Sequence, residues 1–307
     1  MTHRVAVIVR TKDRPYFLRR ALADIGAQTF DDAEVIVVND GGHVARLHEV
    51  VQESSIAERV LVLDTEESQG RCAAANLGLR NATADLVVLH DDDDYWDPRF
   101  LDRTVERLDA RPAEAGVMVR TAIIVEENSG DEWVETARVP FWERMTSVSF
   151  SNLLEINRAV PISFLYRRAI HDEVGYYDES LETVEDWDLY LRIATLHPIG
   201  FLPDETLAYW THRPAAEGAD GNSMFELADQ HLRDDLAVRD RALRSWVADN
   251  GIGLPLYMAL IERELRETME RKLDDNRERI IAHIDQMHPV MTRVRRVVGR
   301  LRQRRSR

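Results

Sequence analysis

The stretch that most limits what this chain can fold into is Leu86-Val87-Val88-Leu89-His90 running into Asp91-Asp92-Asp93-Asp94-Tyr95-Trp96-Asp97-Pro98. Its first half is short and almost continuously apolar, the pattern of a strand buried on both faces of a parallel sheet. Its second half places four carboxylates where that strand would end, and Asp97-Pro98 predicts a helix start. Ligands of open α/β sheets sit outside the carboxyl ends of the strands. Adjacent carboxylates repel one another and suit a place where a hard cation such as magnesium or manganese is held. A solvated acidic turn is the bland alternative, weakened by the buried strand before it.

Other runs extend the pattern. Val5–Val9 predicts a strand ending in Thr11–Pro15, then a helix with Phe17, Leu18, Ala21, Leu22 and Ile25 on one face. Glu34–Val38 ends in Asn39-Asp40-Gly41-Gly42, and a helix from Val44 to Gln52 leads to the strand Arg59–Asp64. A loop at Glu66–Gly70 and a helix from Arg71 to Leu79 precede the central strand. Strands alternating with helices give βαβ units and a mainly parallel sheet. Polar strand ends at Thr11–Arg14, Asn39–Gly41 and Asp91–Asp94 converge on a phosphate-rich ligand with a divalent metal. Neither a G-x-x-x-x-G-K-[ST] loop nor a G-x-G-x-x-G turn follows the first strand, which removes the usual support for ATPase and dinucleotide-dehydrogenase readings.

Composition enters where it excludes. Of 307 residues 44% are hydrophobic, enough for a real core, and a net charge of −15 argues against non-specific nucleic-acid binding. Charge is uneven: from Val290 on there are eight arginines and no carboxylate. The single cysteine, Cys72, fits a reducing compartment and reads as a packing residue. No run is long enough to span a bilayer and the start lacks a secretory pattern, so cytoplasmic is the expected location.

Four segments in order resemble the family 2 glycosyltransferases: Val7–Pro15, Val37–Gly42, Gly70–Gly78 and Leu89–Pro98. The resemblance implies the GT-A fold, a Rossmann-like α/β architecture with a mixed, mainly parallel sheet and helices on both faces, followed here by a helical extension. It implies a GT-A domain over 1–223, with a nucleotide-sugar half at 1–115 and an acceptor half at 116–223, and an extension over 224–307. By resemblance, Thr11, Asp13, Arg14, Asp40, Gly70, Arg71, Asp91 and Asp92 line the donor site, and Asp93 of Asp91-x-Asp93 takes Mn2+ or Mg2+. Asn39 departs from the aspartate common in the family, which leaves donor identity open. Each residue has a structural alternative: Thr11 and Asp13 as helix caps, Asp40-Gly41 as a tight turn. Arg71 is harder to explain structurally, because a cation at a helix start opposes the dipole.

Further along, Gly116–Val125 and Trp133–Val139 predict a strand pair across Asn128–Gly130, and Pro161–Tyr166 a strand. Phe141, Trp142 and Phe150 suit either sugar stacking or the core, which is favoured. A helix starts near Glu185 with Leu189, Ile193 and Leu196 on one face. Likeness to the family's E-D-x-D-L element makes Asp186 the candidate general base of an inverting transfer. Thr183-x-x-Asp186 also resembles a capping box, and Glu185 and Asp188 are the nearest competitors. Phe201–Trp210 predicts a strand that runs out into Tyr209-Trp210-Thr211-His212-Arg213, where His212 is a candidate metal or diphosphate ligand by resemblance and a structural histidine otherwise. Pro214–Gly221 reads as a lid.

The remainder reads as helical. The stripe Ile261, Leu265, Met269, Leu273, Ile280, Ile284 and Met287 suits packing or a homodimer seam. Residues 290–307 form a basic amphipathic pattern suited to anionic membrane or to an acidic partner. The expected function is metal-dependent inverting transfer of a sugar from a nucleotide-diphosphate donor to a hydroxyl of a glycan, glycolipid or small molecule. A nucleotidyltransferase and a non-catalytic sugar-nucleotide-binding scaffold are the alternatives.

Overall fold

The computed structural model of the chain describes residues 3–130, 132–216 and 228–287. Its frame is a sheet in the order β3-β2-β1-β4-β8-β6-β9-β5, with β7 on the free edge of β6. Four strands carry the nucleotide half: β1 (Val5–Thr11), β2 (Ala33–Asp40), β3 (Val60–Thr65) and β4 (Leu86–Asp91). The pairings among these four are all parallel, and β1 sits between β2 and β4. The chain thus winds outward in both directions from β1, and the crevice of an open α/β sheet forms where that direction reverses.

The apolar runs are explained by burial on two faces. Val5, Val7, Val9, Val35, Val37, Leu86 and Val88 point to one side, where they meet α1 (Pro15–Gly26), α2 (Val44–Glu53) and α4 (Phe100–Ala110). Ala6, Ile8, Ile36, Val38, Val87 and Leu89 point to the other, against α3 (Arg71–Asn81) and α7 (Glu185–Leu196). Successive residues of a strand face opposite ways, so a strand covered by helices on both sides must be apolar throughout. Each fully buried Val or Leu contributes about 1.5–3 kcal/mol. Gly78 lets α3 lie close on β1, since a Cβ there would stand 2.5 Å from Ile8 Cγ2.

The second half extends the sheet with β6 (Gly116–Ser129), β7 (Glu132–Phe141), β8 (Phe164–Arg167) and β9 (Ile199–His212). β6 is antiparallel to β7 and β8 and parallel to β9. Two short helices, α5 (Phe150–Glu155) and α6 (His171–Val174), lie between β7 and α7.

Several expectations are corrected. The helix expected at Asp97-Pro98 starts at Phe100, because Tyr95-Trp96 is captured as β5 by antiparallel pairing with Tyr209 and Ala208 of β9. Pro161–Ser163 is one 3-10 turn, closed by Ser163 N donating to Val160 O at 2.9 Å, and β8 begins only at Phe164. Leu196 ends its helix 55% exposed, while Trp187 and Tyr190 join Leu189 and Ile193 in the interior. Of the three aromatics, Phe141 packs edge-on against Trp210, but Phe150 is 42% exposed, so core packing fails for it.

The chain divides into two compact units, Met1–Val238 and Arg239–Arg307. α8 (Ala228–Asn250) contributes its first turns to the first unit. The described part of the second unit is the rest of α8 and α9 (Gly253–Met287), on which Leu265, Met269, Leu273 and Ile280 are exposed. Among the described residues no helix is long and apolar enough to cross a membrane. The basic tail 290–307, and 217–221 of the expected lid, lie outside the described residues.

Candidate active site

The site is built where β1 and β4 end side by side. Parallel register sets Arg10 opposite Asp91, and Arg10 Nε donates to Asp91 Oδ1 at 3.2 Å. The same guanidinium reaches across to Glu185 Oε1 at 3.4 Å. Arg10 is 8% exposed. Burial works against its charge, but Asp91 and Glu185 more than offset this and hold the guanidinium firmly protonated. One side chain thereby ties the end of β4 to the start of α7. Arg71 Nε pairs with Glu185 Oε1 at 2.9 Å, so a carboxylate offsets the awkward cation at the start of α3.

The four aspartates have four different surroundings. Asp91 keeps a fifth of its side chain exposed. Asp92 is buried, accepts from Thr11 Oγ1 at 2.7 Å and pairs with Arg14 at 2.9 Å. Burial, with help from the neighbouring Asp93 and Asp91, pushes its carboxyl up to about 7. Burial would also raise Asp93, but Arg14 at 2.8 Å and Arg213 on the same oxygen hold it well below the usual carboxylate range. Asp94 is buried and accepts from Thr211 N at 2.8 Å, locking the acidic turn to β9. Burial, then Asp93, raises it well above the ordinary carboxylate value.

Arg213 is 1% exposed and also bonds Glu126 Oε2 at 3.3 Å, while Arg20 bonds Glu126 Oε1 at 2.6 Å. Arg14 and Arg213 stack on the ring of Phe17, at 4.5 and 4.4 Å. His212 is buried with its ring edge-on to Trp210, and burial, then Arg213, pushes it down to about 4 and keeps it neutral.

On the other flank, Asp13 has left-handed backbone with φ 52°, and its Oδ1 accepts from His43 N at 2.7 Å, so it caps the start of α2 and not α1. Asp40 Oδ1 accepts from Gln69 N at 2.7 Å, and Oδ2 from Ser68 Oγ at 2.7 Å and Gly70 N at 3.1 Å. Asp40 thus shapes the loop that brings Gly70, at φ 93°, and Arg71 to the rim. Asn39 donates to Gly42 O at 2.8 Å, which shows its amide at work in the turn. Cys72 donates to Leu181 O at 3.1 Å, and burial pushes its thiol up to about 12, the state of an inert packing residue.

At the start of α7 the three carboxylates separate. Glu185 takes Arg10 and Arg71, and Asp188 takes Arg192 at 2.9 Å. Asp186 has no ion pair among the described residues; it accepts from Asn157 Nδ2 at 3.0 Å and Trp187 N at 2.8 Å. Burial first, and Glu185 second, push its carboxyl up to about 7. The capping box does not form. Val184 is the N-cap, in left-handed backbone at φ 55°, and the Thr183 hydroxyl donates to Asp234 Oδ2 at 2.9 Å instead.

The structure therefore joins Thr11, Arg14, Asp92 and Asp93 in one network, with His212 close enough to be influenced by Asp93, and ties Asp91 through Arg10 to Glu185, which pairs with Arg71 and precedes Asp186. Sequence reasoning missed Arg10, Arg20, Glu126 and Arg213. A basic residue on an otherwise apolar strand is the only signal that marked Arg10; the others come from elements far apart in the chain.

A parallel sheet wound outward from β1, an acidic turn at its rim and a carboxylate at a facing helix start define a GT-A transferase. The chain belongs to glycosyl transferase family 2, whose family model matches residues 6–175. It is 28% identical over 209 residues to the uncharacterized glycosyltransferase YwdF of Bacillus subtilis, covering 67% of this chain and 74% of that protein. It is 25% identical over 201 residues to the amylovoran biosynthesis glycosyltransferase AmsE of Erwinia amylovora, covering 65% of this chain and 73% of the relative. Among solved structures, S. aureus TarS 1–349 in complex with UDP-GlcNAc superposes with a TM-score of 0.56 at 18% identity, over 82% of this chain and 75% of that one. The protein is a glycosyltransferase.

Proposed function

We propose that this glycosyltransferase is inverting, and that it takes its sugar from a nucleoside-diphosphate donor seated at the ends of β1 and β4. The observation that carries this is the placement of Asp186: a buried carboxyl without an ion pair among the described residues, held one residue from the Glu185–Arg10–Asp91 tie. A carboxyl pushed up to about 7 is matched to accepting a proton near neutral pH. In the step, the acceptor hydroxyl gives its proton to Asp186 and its oxygen bonds the anomeric carbon. The bond from that carbon to the diphosphate breaks, and its electron pair leaves on the diphosphate. Arg14, part-exposed beside Asp92 and Asp93, supplies fixed positive charge near where that charge develops. TarS is known in complexes with UDP and UDP-GlcNAc, which supports a donor of this class.

The acceptor half offers a cavity of about 480 Å³ lined by Trp142, Glu143, Met145, Asn152 and Arg158. Arg158 follows Asn157, the residue bonded to Asp186, and its guanidinium lies 4.6 Å from the Trp142 ring centre. We assign this cavity to the acceptor.

Among the described residues no three His, Cys, Asp or Glu side chains converge as a closed metal cage. Arg10 takes Oδ1 of Asp91, and Arg14 and Arg213 take Oδ2 of Asp93; the second oxygen of each carboxylate would be what holds a hard cation whose other ligands are phosphate oxygens. Such an ion would neutralise charge on the departing diphosphate. The test is a thermal-shift panel of UDP, GDP, dTDP and their sugars, with Mn2+ and with EDTA. One nucleotide series should raise the melting temperature, since a ligand of the native state stabilises it. Chelation should remove turnover and manganese restore it. No shift with any nucleotide would end the donor assignment; full turnover in EDTA would end the metal assignment alone.

A further inference from the structure

α8 lies beyond the segment matched by the family model, yet its first turns touch the catalytic loop. Asp234, 6% exposed, accepts through Oδ2 from Glu182 N at 3.1 Å, Thr183 N at 2.9 Å and Thr183 Oγ1 at 2.9 Å. Its Oδ1 accepts from Gln230 Nε2 at 2.7 Å, which fixes the carboxylate from its own helix. One turn later Val238 packs with Leu181 and Trp187. These contacts bracket a segment whose own backbone bonds lie at its ends, Leu181 N to Asp178 O and Asp188 N to Val184 O. Val184, a β-branched residue, takes φ 55°, a conformation such side chains avoid. α7 also starts without a side-chain cap. Strained backbone of this kind persists only where its surroundings over-determine it.

We propose that Asp234 is a positioning residue for the transfer: its carboxylate holds residues 182–184 in the conformation that sets Glu185 on Arg10 and Arg71 and presents Asp186 to the acceptor. The proposal rests on Asp186 being the base. It assigns the start of the C-terminal helices to the active site.

The test uses the full chain with Asp234→Ala, Asp234→Asn and Thr183→Val. Asparagine keeps a carbonyl oxygen for the Glu182 and Thr183 donors, and its amide is accommodated when Gln230, which donates to Asp234 in the native chain, turns over at the expense of its bonds from Arg233; alanine keeps no acceptor. Hydrogen exchange is followed on the amides of 182–188 and, as control, on those of β1 and β4. Donor hydrolysis is followed with UDP-glucose, UDP-N-acetylglucosamine, GDP-mannose and dTDP-glucose. Asp234→Ala should speed exchange at 182–188 at least tenfold with β1 and β4 unchanged. It should lower kcat at least tenfold with KM for the hydrolysed donor within twofold. Asp234→Asn should restore both to within threefold, and Thr183→Val should fall between. The proposal is overturned if kcat of the alanine variant stays within twofold, or if protection is lost equally in β1 and β4. Failure of the base assignment reads differently: Asp186→Asn would then turn over normally while the exchange effect of Asp234→Ala persists.

Discussion

Asp186 and Glu185 are consecutive carboxylates with opposite surroundings. Glu185 is neutralised by two guanidiniums, whereas Asp186 is buried beside that charge and, among the described residues, accepts from an amide and a backbone N–H. Folding raises Asp186 from an ordinary 3.8 to about 7. The folded state therefore holds a proton that the unfolded chain releases; the stability this represents is full below pH 4 and is lost as pH rises through 7. In the transfer proposed above the dependence runs the other way, because Asp186 acting as the base must be ionised. Turnover should fall about tenfold per unit below pH 7, measured as a pH profile of kcat. Asp186→Asn should cut kcat by about 10²–10⁴, leave donor affinity unchanged, and raise the melting temperature at pH 8 relative to the native chain. A second residue-scale prediction concerns Asp93, on which Arg14 and Arg213 both lie. Asp93→Ala leaves Arg14 its pair with Asp92 and the buried Arg213 its pair with Glu126, but removes the oxygen they share, and should cost about 1–3 kcal/mol, read from the urea midpoint.

At the scale of elements, what was legible in the chain was whatever depends on neighbours in sequence. β1, β2 and β4 announce themselves as apolar runs because helices cover both sheet faces, and the periodic faces of α1 and α4 follow from one-sided burial. β5 could not be read this way, since two residues become a strand only when Tyr209 and Ala208 arrive from more than a hundred residues away. The site divides along the same line. Asp91, Asp93 and Asp186 stand in local patterns, while Arg20, Glu126 and Arg213 acquire meaning only once α1, β6 and β9 meet. Gly78 was legible as part of a motif, but its reason is tertiary. Gly78→Ala gains about 1 kcal/mol of helix propensity. Against this, its Cβ would stand 2.5 Å from Ile8 Cγ2, on a strand with no room to give, and overpacking costs about 1–3 kcal/mol. The clash should win, lowering stability by about 1–2 kcal/mol in equilibrium unfolding.

On the scale of the whole molecule, the division at Val238 falls inside α8 and not between helices. The buried residues explain why: Asp234 and Val238 are the last in α8 to be 6% exposed or less, and both engage the segment that leads into α7. A chain cut after Val238 should therefore keep the whole first unit. Its melting temperature should lie within about 3 °C of the intact protein, since a surface change outside a core shifts stability by about 0.5 kcal/mol and a domain this size moves about 2–4 °C per kcal/mol. A chain cut after Ala216 loses Asp234 and Val238 together. It leaves Thr183 and Glu182 donors without that acceptor and uncovers Trp187, a loss of about 2–3 kcal/mol that should lower the melting temperature by about 5–10 °C. The nucleotide site proposed at the ends of β1 and β4 lies outside both deletions, so nucleotide binding should survive in both. Thermal unfolding of the two truncations with and without the stabilising nucleotide separates the cases. If the chain ending at Val238 melts as low as the one ending at Ala216, residues 239–307 belong to the same cooperative unit as the sheet.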